Sequence, residues 1–256
     1  MLEHIVLKEI KDTEAKVSVV MKDLVKNKWL IRFDENRVIP SASTIKILIM
    51  VEALNQVEEG IFSLDEKIKV KEKEKVDFSI ISELKIDEYT FLDLITLMII
   101  TSDNTATNIL IDLLGYEKIN QMANILDLKS TVLQRKMMDF QAAKEGKENL
   151  TSAIDMAIIM EKIYDKSILT EDMCILMSHI LSRQTHRDSL SRYIDEDIVI
   201  AHKTGELDKL NHDIGIFYVG DMEYLLGIFV TEAQHNIEAK RIIGRISRSI
   251  YDMMIV

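Results

Sequence analysis

Hydrophobic positions along the chain repeat with two periods, and the switches between them divide it into sections. Leu2, Ile5, Val6 and Ile10 recur at helical spacing within residues 2–15. AKVSVVMKDL and KWLIRFDEN then alternate or cluster β-branched and aromatic residues about a short polar turn, which predicts a hairpin. Pro40, the only proline, closes this section. From residue 43 to about residue 189 the period is helical. IKILIMVEALNQVEEG stops at Gly60 as a C-cap. TFLDLITLMII, TATNILIDLLGY, EKINQMANILD, TSAIDMAIIMEKIYD and EDMCILMSHILSRQ follow it. Strand character returns in DIVIAHKTG, HDIGIFYVG and EYLLGIFVTE, and IEAKRIIGRISRSIYDMMI reads as a final helix.

Helix and hairpin, a long helical middle, then strands and a helix predict an α/β part made from both ends of the chain. Residues 1–42 and 190–256 are expected to share one antiparallel sheet flanked by terminal helices. Residues 43–189 are expected to form an inserted all-helical domain, with a site in the cleft between the two. Eight glycines and one proline leave few hinges, so the interface is expected to be large and fixed.

Composition narrows the function. Apolar residues at 47% and charged residues at 29% give a globular balance, and a net charge of −11 opposes a nucleic-acid surface. Cys174 is the single cysteine, so neither an internal disulfide nor a thiolate zinc cage is expected, and its apolar helical setting reads as a buried thiol. The six histidines show no HExxH pair or other close ligand spacing, and no metal or cofactor is expected. The longest apolar runs are too short to span a bilayer, and the first residues lack the uncharged core of a signal peptide. The compartment stays open between cytoplasm and an exported form with its targeting segment removed.

Three short motifs carry candidate chemistry. Ser43 and Lys46 lie three apart at a helix start, on one face, where the amine can reach the hydroxyl and the helix dipole favours negative charge on the serine oxygen. A lysine kept from water has a lowered pKa and can accept a proton. The structural alternative is that Ser43 caps the helix and Lys46 is solvated; a second copy of the spacing, Ser82 to Lys85, shows how easily it arises. Ser102-Asp103-Asn104 sits between two helical runs. It reads either as a turn and cap or as a second hydroxyl for proton relay beside an amide that both donates and accepts. Lys203-Thr204-Gly205 reads structurally as a strand end entering a loop. Functionally it offers a cation and hydroxyl for a carboxylate, edge amides for a peptide, and a glycine that admits a ligand. SDN and KTG would each arise by chance roughly a few hundredths of a time in a chain of average composition, and all three motifs stand in order at element boundaries.

The set SxxK, SDN and KTG, in this order and over nearly the whole chain, resembles the penicilloyl serine transferases and, within them, the class A β-lactamases. The resemblance implies Ser43 as acylated nucleophile, Lys46 as its proton partner and Ser102 as relay to the leaving nitrogen. It further implies that Asn104 holds a substrate amide, that Lys203 and Thr204 hold a carboxylate, and that Gly205 precedes an oxyanion hole. That hole would be the backbone N–H groups of Ser43 and Glu206. The same resemblance places a water-activating glutamate where this chain has Met137, within LQRKMMDFQAAKEGKENL. Asp139, Glu145 and Glu148 are the nearby carboxylates, with Asp139 the first candidate substitute. His202 and the pair His212-Asp213 also depart from common patterns and are expected to be packed or solvated. No arginine follows KTG on the strands to assist Lys203, which leaves Arg241 and Arg245 on the last helix. The expected function is a β-lactam-hydrolysing serine enzyme with slow deacylation, acting as a monomer on a small β-lactam or D-alanyl peptide. A DD-peptidase or esterase, and a sensor that keeps its acyl group, are the competing expectations.

Overall fold

The computed structural model describes residues 2–195 and 197–255; positions 1, 196 and 256 of the expected α/β section lie outside the described residues. The elements run α1 (Leu2–Ile10), β1 (Lys16–Asp23), β2 (Lys28–Phe33), β3 (Ile39–Pro40), α2 (Lys46–Glu58), β4 (Lys67–Lys69), α3 (Ile80–Glu83), β5 (Glu88–Thr90), α4 (Phe91–Ile100) and α5 (Asn104–Leu114). They continue with α6 (Tyr116–Ile125), α7 (Phe140–Lys144), β6 (Leu150–Thr151), α8 (Ala153–Tyr164), α9 (Glu171–Ser182), β7 (Val199–Leu207), β8 (Leu210–Val219), β9 (Met222–Thr231) and α10 (Asn236–Met254).

Five strands form one antiparallel sheet in the order β2-β1-β9-β8-β7, so the hairpin from the start of the chain joins the strands from its end. Side-chain alternation assigns its two faces. Val17, Val19 and Met21 of β1 pack with Val6 of α1 and Ile242, Ile246 and Ile250 of α10, while Val20 turns to the opposite core. There it meets Ile214, Ile216 and Phe229 and the buried faces of α2, α4, α5, α8 and α9. A sheet covered on both sides explains why β8 and β9 are buried almost end to end. The helical middle also carries two small ribbons, β4 with β5, and β6 with β3 from the N-terminal section.

Two boundaries differ from the periodicity. Helix α1 ends at Ile10, not near residue 15, because Thr13 turns the chain. Its hydroxyl donates to Glu238 of α10 at 2.9 Å and accepts from the Ala15 amide at 3.1 Å. Residues 42–45 form a 3-10 turn ahead of α2. The far end of α2 stops as expected: Gly60 takes φ 74° and its amide donates to the Val57 carbonyl at 3.0 Å.

Candidate active site

Ser43 lies within the 3-10 turn Ala42–Ile45, and α2 is preceded by Ile45 with no side-chain cap, so the serine is not serving as the helix cap. The residue before it, Ala42, has φ 47°, a left-handed conformation that side-chain-bearing residues adopt rarely and that concentrates at functional sites. Surrounding bonds hold the strain: the Ser41 amide donates to Asn149 O at 2.8 Å, and the Thr44 hydroxyl donates to Ser41 O at 2.6 Å. β7 presses on the other side. A Cβ on Gly205 would stand 3.1 Å from Ala42 Cβ and 3.2 Å from Ser41 O, tighter than ordinary contact. The glycine is therefore required by the chain's own turn, which brings β7 against Ser43. Lys203-Thr204-Gly205 does not end its strand, since β7 continues to Leu207, and β7 is an edge of the sheet.

Ser102 connects the two lysines. It too has a left-handed backbone, φ 58°, in the sharp link between α4 and α5. The capping reading holds for its neighbour: Asp103 accepts from the Ala106 amide at 2.8 Å and from the Ile81 amide at 3.1 Å. Lys46 Nζ reaches Ser102 Oγ at 3.1 Å, Ser102 O at 2.7 Å and Asn104 Oδ1 at 3.0 Å. Lys203 Nζ reaches Ser102 Oγ at 3.1 Å and Thr204 O at 2.8 Å. Both amines are fully buried. Burial, then the neighbouring charge of Lys203, holds the Lys46 pKa well below its ordinary value. Burial lowers Lys203 to about 7, against an upward pull from Asp213.

These bonds fit a neutral Lys46. A free amine has two protons and a lone pair, and its neighbours are two pure acceptors, a carbonyl and an amide oxygen, plus one hydroxyl able to donate. Ser102 can then donate to the neutral Lys46 amine while accepting from Lys203, so that one hydroxyl bridges the two amines.

A cavity of about 560 Å³ opens over Ser43, Ser102, Asn104 and Thr204. Its walls include the exposed rings of Phe78 and Phe140 together with Met137 and Met138. The Met137 backbone is clasped by Asn108, whose Nδ2 donates to Met137 O at 3.0 Å and whose Oδ1 accepts from its amide at 2.8 Å. Asp139 is not among the lining residues; its carboxylate caps α7 by accepting from the Ala142 amide at 2.9 Å. Glu148 does line the cavity, but Arg135 engages both of its oxygens, Nε at 3.1 Å and a terminal nitrogen at 3.2 Å. The Glu206 side chain turns to Lys240, at 2.8 Å, and Asn236, at 3.0 Å.

The two histidine departures are packed. His202 Nδ1 lies 2.9 Å from Asp213 Oδ1, and both residues are buried. His212 Nε2 bonds the Pro40 carbonyl at 2.9 Å, and burial lowers its pKa to about 4, so the ring is neutral. Arg241 and Arg245 line a separate cleft between α1 and α10, where Arg245 pairs with Glu9 at 2.8 Å, and neither assists Lys203. Cys174 is buried as expected. Sequence motifs did not single out Phe78, Phe140, Asn108, Arg135 or His186, since each reaches the site through a loop or a long-range contact rather than a recurring local pattern. No group of three or more His, Cys, Asp or Glu that could hold a metal occurs among the described residues, and none of their helices is long and apolar enough to cross a membrane.

Known proteins share this architecture. A β-lactamase from Sphaerobacter thermophilus is 24% identical over 100% of this chain and 97% of its own, with a TM-score of 0.90. A β-lactamase from Chitinophaga pinensis is 22% identical over 99% of each chain, with a TM-score of 0.93. PBP-A is 26% identical over 99% of this chain and 95% of its own, with a TM-score of 0.89. The family model for the beta-lactamase enzyme family matches residues 2–254, and the chain belongs to that family of serine hydrolases.

Proposed function

We propose that β-lactams acylate Ser43 rapidly and that the acyl-enzyme is hydrolysed slowly. The observation that carries this reading is the hydroxyl of Ser102 within 3.1 Å of both buried lysine amines, in a cavity that it shares with Ser43, the residue after the left-handed Ala42. Neutral Lys46 takes the Ser43 proton as the serine oxygen attacks the lactam carbonyl. The amides of Ser43 and Glu206 stabilise the oxyanion. As the C–N bond breaks, Ser102 gives its proton to the departing nitrogen and is refilled from Lys46, which balances the transfer. Thr204 and the Lys203 ammonium hold the substrate carboxylate, and Asn104 holds the side-chain amide.

Deacylation lacks a general base under this reading. Met137 has a thioether that accepts no proton under these conditions, Asp139 is engaged as a cap, and Glu148 is engaged by Arg135. A substituted form of PBP-A is known as an acyl-enzyme complex with penicillin G, which makes a long-lived adduct on this fold chemically reasonable. The α/β section and the helical middle, divided near residues 42 and 190, serve as the two walls of the cleft. A D-alanyl peptidase is the second reading, favoured by Met137 and tested by D-alanine release from a D-Ala-D-Ala peptide.

Nitrocefin mixed with the protein in a stopped-flow is expected to give a burst equal to the enzyme concentration, then a slow steady state. A steady state with no burst would overturn slow deacylation. The pH dependence follows from Lys203. It holds the carboxylate only when protonated, so the second-order acylation constant of the free enzyme is expected to fall as pH rises through about 7, by about tenfold per pH unit beyond it. A constant that keeps rising to pH about 9 would remove Lys203 from that role.

A further inference from the structure

We propose that His186, a residue lining the cavity that also holds Ser43, is a second, titratable anchor for the substrate carboxylate. This rests on the acyl-transfer reading and adds to it a residue that no motif marks. The carboxylate-binding end of the cavity lacks a partner for Lys203, because Arg241 and Arg245 lie in the cleft between α1 and α10. Among the charged or titratable residues lining the cavity, Arg135 and Glu148 are bonded to each other, Glu206 is bonded to Lys240 and Asn236, and Asp208 is an acidic residue. His186 is the lining residue that remains to donate to an anion.

Its position is built. The preceding segment is fastened to the end of α4, immediately ahead of the Ser102 turn. Buried Gln184 donates through Nε2 to Ile99 O at 2.8 Å, and its Oε1 accepts the His186 amide at 3.0 Å. Thr185 donates to Ile100 O twice, from its amide at 3.0 Å and from its hydroxyl at 2.7 Å. The backbone of this exposed loop is thus held in register with Ser102, and His186 lines the cavity there within the field of Lys203. The charged groups around it are Lys203 and Lys240, which repel its protonated form, and Asp188 and Glu206, which favour it. Burial and then Lys203 lower its pKa in the free protein. A bound carboxylate adds a negative charge that opposes this lowering, so the imidazole gains its proton as pH falls and its grip on the substrate strengthens.

The test is the ratio of acylation constants for a β-lactam carboxylic acid and its methyl ester, measured between about pH 5 and pH 8 on wild type, His186→Gln and, as a remote control, His179→Gln on the exposed side of α9. Wild type and His179→Gln are expected to favour the acid more strongly as pH falls, by about fivefold over His186→Gln at the acid end. Glutamine keeps a neutral donor, so its ratio should follow Lys203 alone. Equal ratios in wild type and His186→Gln across the range would overturn the proposal, even with Ser43 fully acylated. Failure of wild type to acylate at all would instead overturn the acyl-transfer reading.

Discussion

Met137→Glu is expected to shorten the lifetime of the Ser43 acyl-enzyme by roughly 10²-fold or more, the contribution of a positioned general base. The backbone at this position does not depend on the side chain, because Asn108 holds both the Met137 carbonyl and its amide. Glutamate is close to methionine in length and would project from the same cavity wall, where only 9% of the residue is exposed. Partial burial raises a carboxyl pKa, which moves it toward the range useful for taking a proton from water. Deacylation is read by trapping the adduct, removing free β-lactam and following return of nitrocefin activity. A folded variant that acylates as wild type does, yet keeps the same adduct lifetime, would show that Met137 is not where a base is missing. Asp139→Asn serves as companion: loss of its turnover would assign the base to that aspartate.

Lys46→Met is expected to lower the acylation constant by about 10³-fold, since both the activation of Ser43 and the refilling of Ser102 pass through this amine. A second readout separates lost chemistry from lost folding. The folded-state pKa of Lys46 lies below its ordinary value of 10.5, so between the two values the unfolded chain binds more protons than the folded one. Stability of the wild type therefore rises with pH across that window, and the burial penalty is fully present only below the folded-state pKa. Relative to Lys46→Met, wild type is expected to gain thermal stability from neutral to alkaline pH, as the unfolded lysine also loses its charge. Parallel melting curves at every pH would mean that the lysine is not held neutral.

The sequence disclosed most of the fold and the groups proposed to react for different reasons. Helices and strands with long, strong periodicity, such as α10 and β7 to β9, are fixed by which faces must be buried, and that is written locally. Ser43, Lys46, Ser102 and Lys203 were legible because their order and neighbours form rare local words. What escaped depends on distant partners. Thr13 ends α1 through Glu238, more than two hundred residues away. Gly205 reads as room for a ligand until Ala42 and Ser41 are seen against it. Gln184 gives no hint in sequence that it fastens His186 to the end of α4. The capping alternative for Ser43 failed because a 3-10 turn, not an α-helix, begins at Ala42, a difference of hydrogen-bond register that side-chain patterns do not encode.

The proposed covalent bond to the Ser43 hydroxyl underlies the kinetic outcomes above, so intact mass followed by peptide mapping after brief exposure to benzylpenicillin is the most direct measurement. The expected result is one added penicilloyl group per chain, located on Ser43, persisting after excess drug is removed and absent from Ser43→Ala. An unmodified protein, or a label that survives in Ser43→Ala, would contradict it.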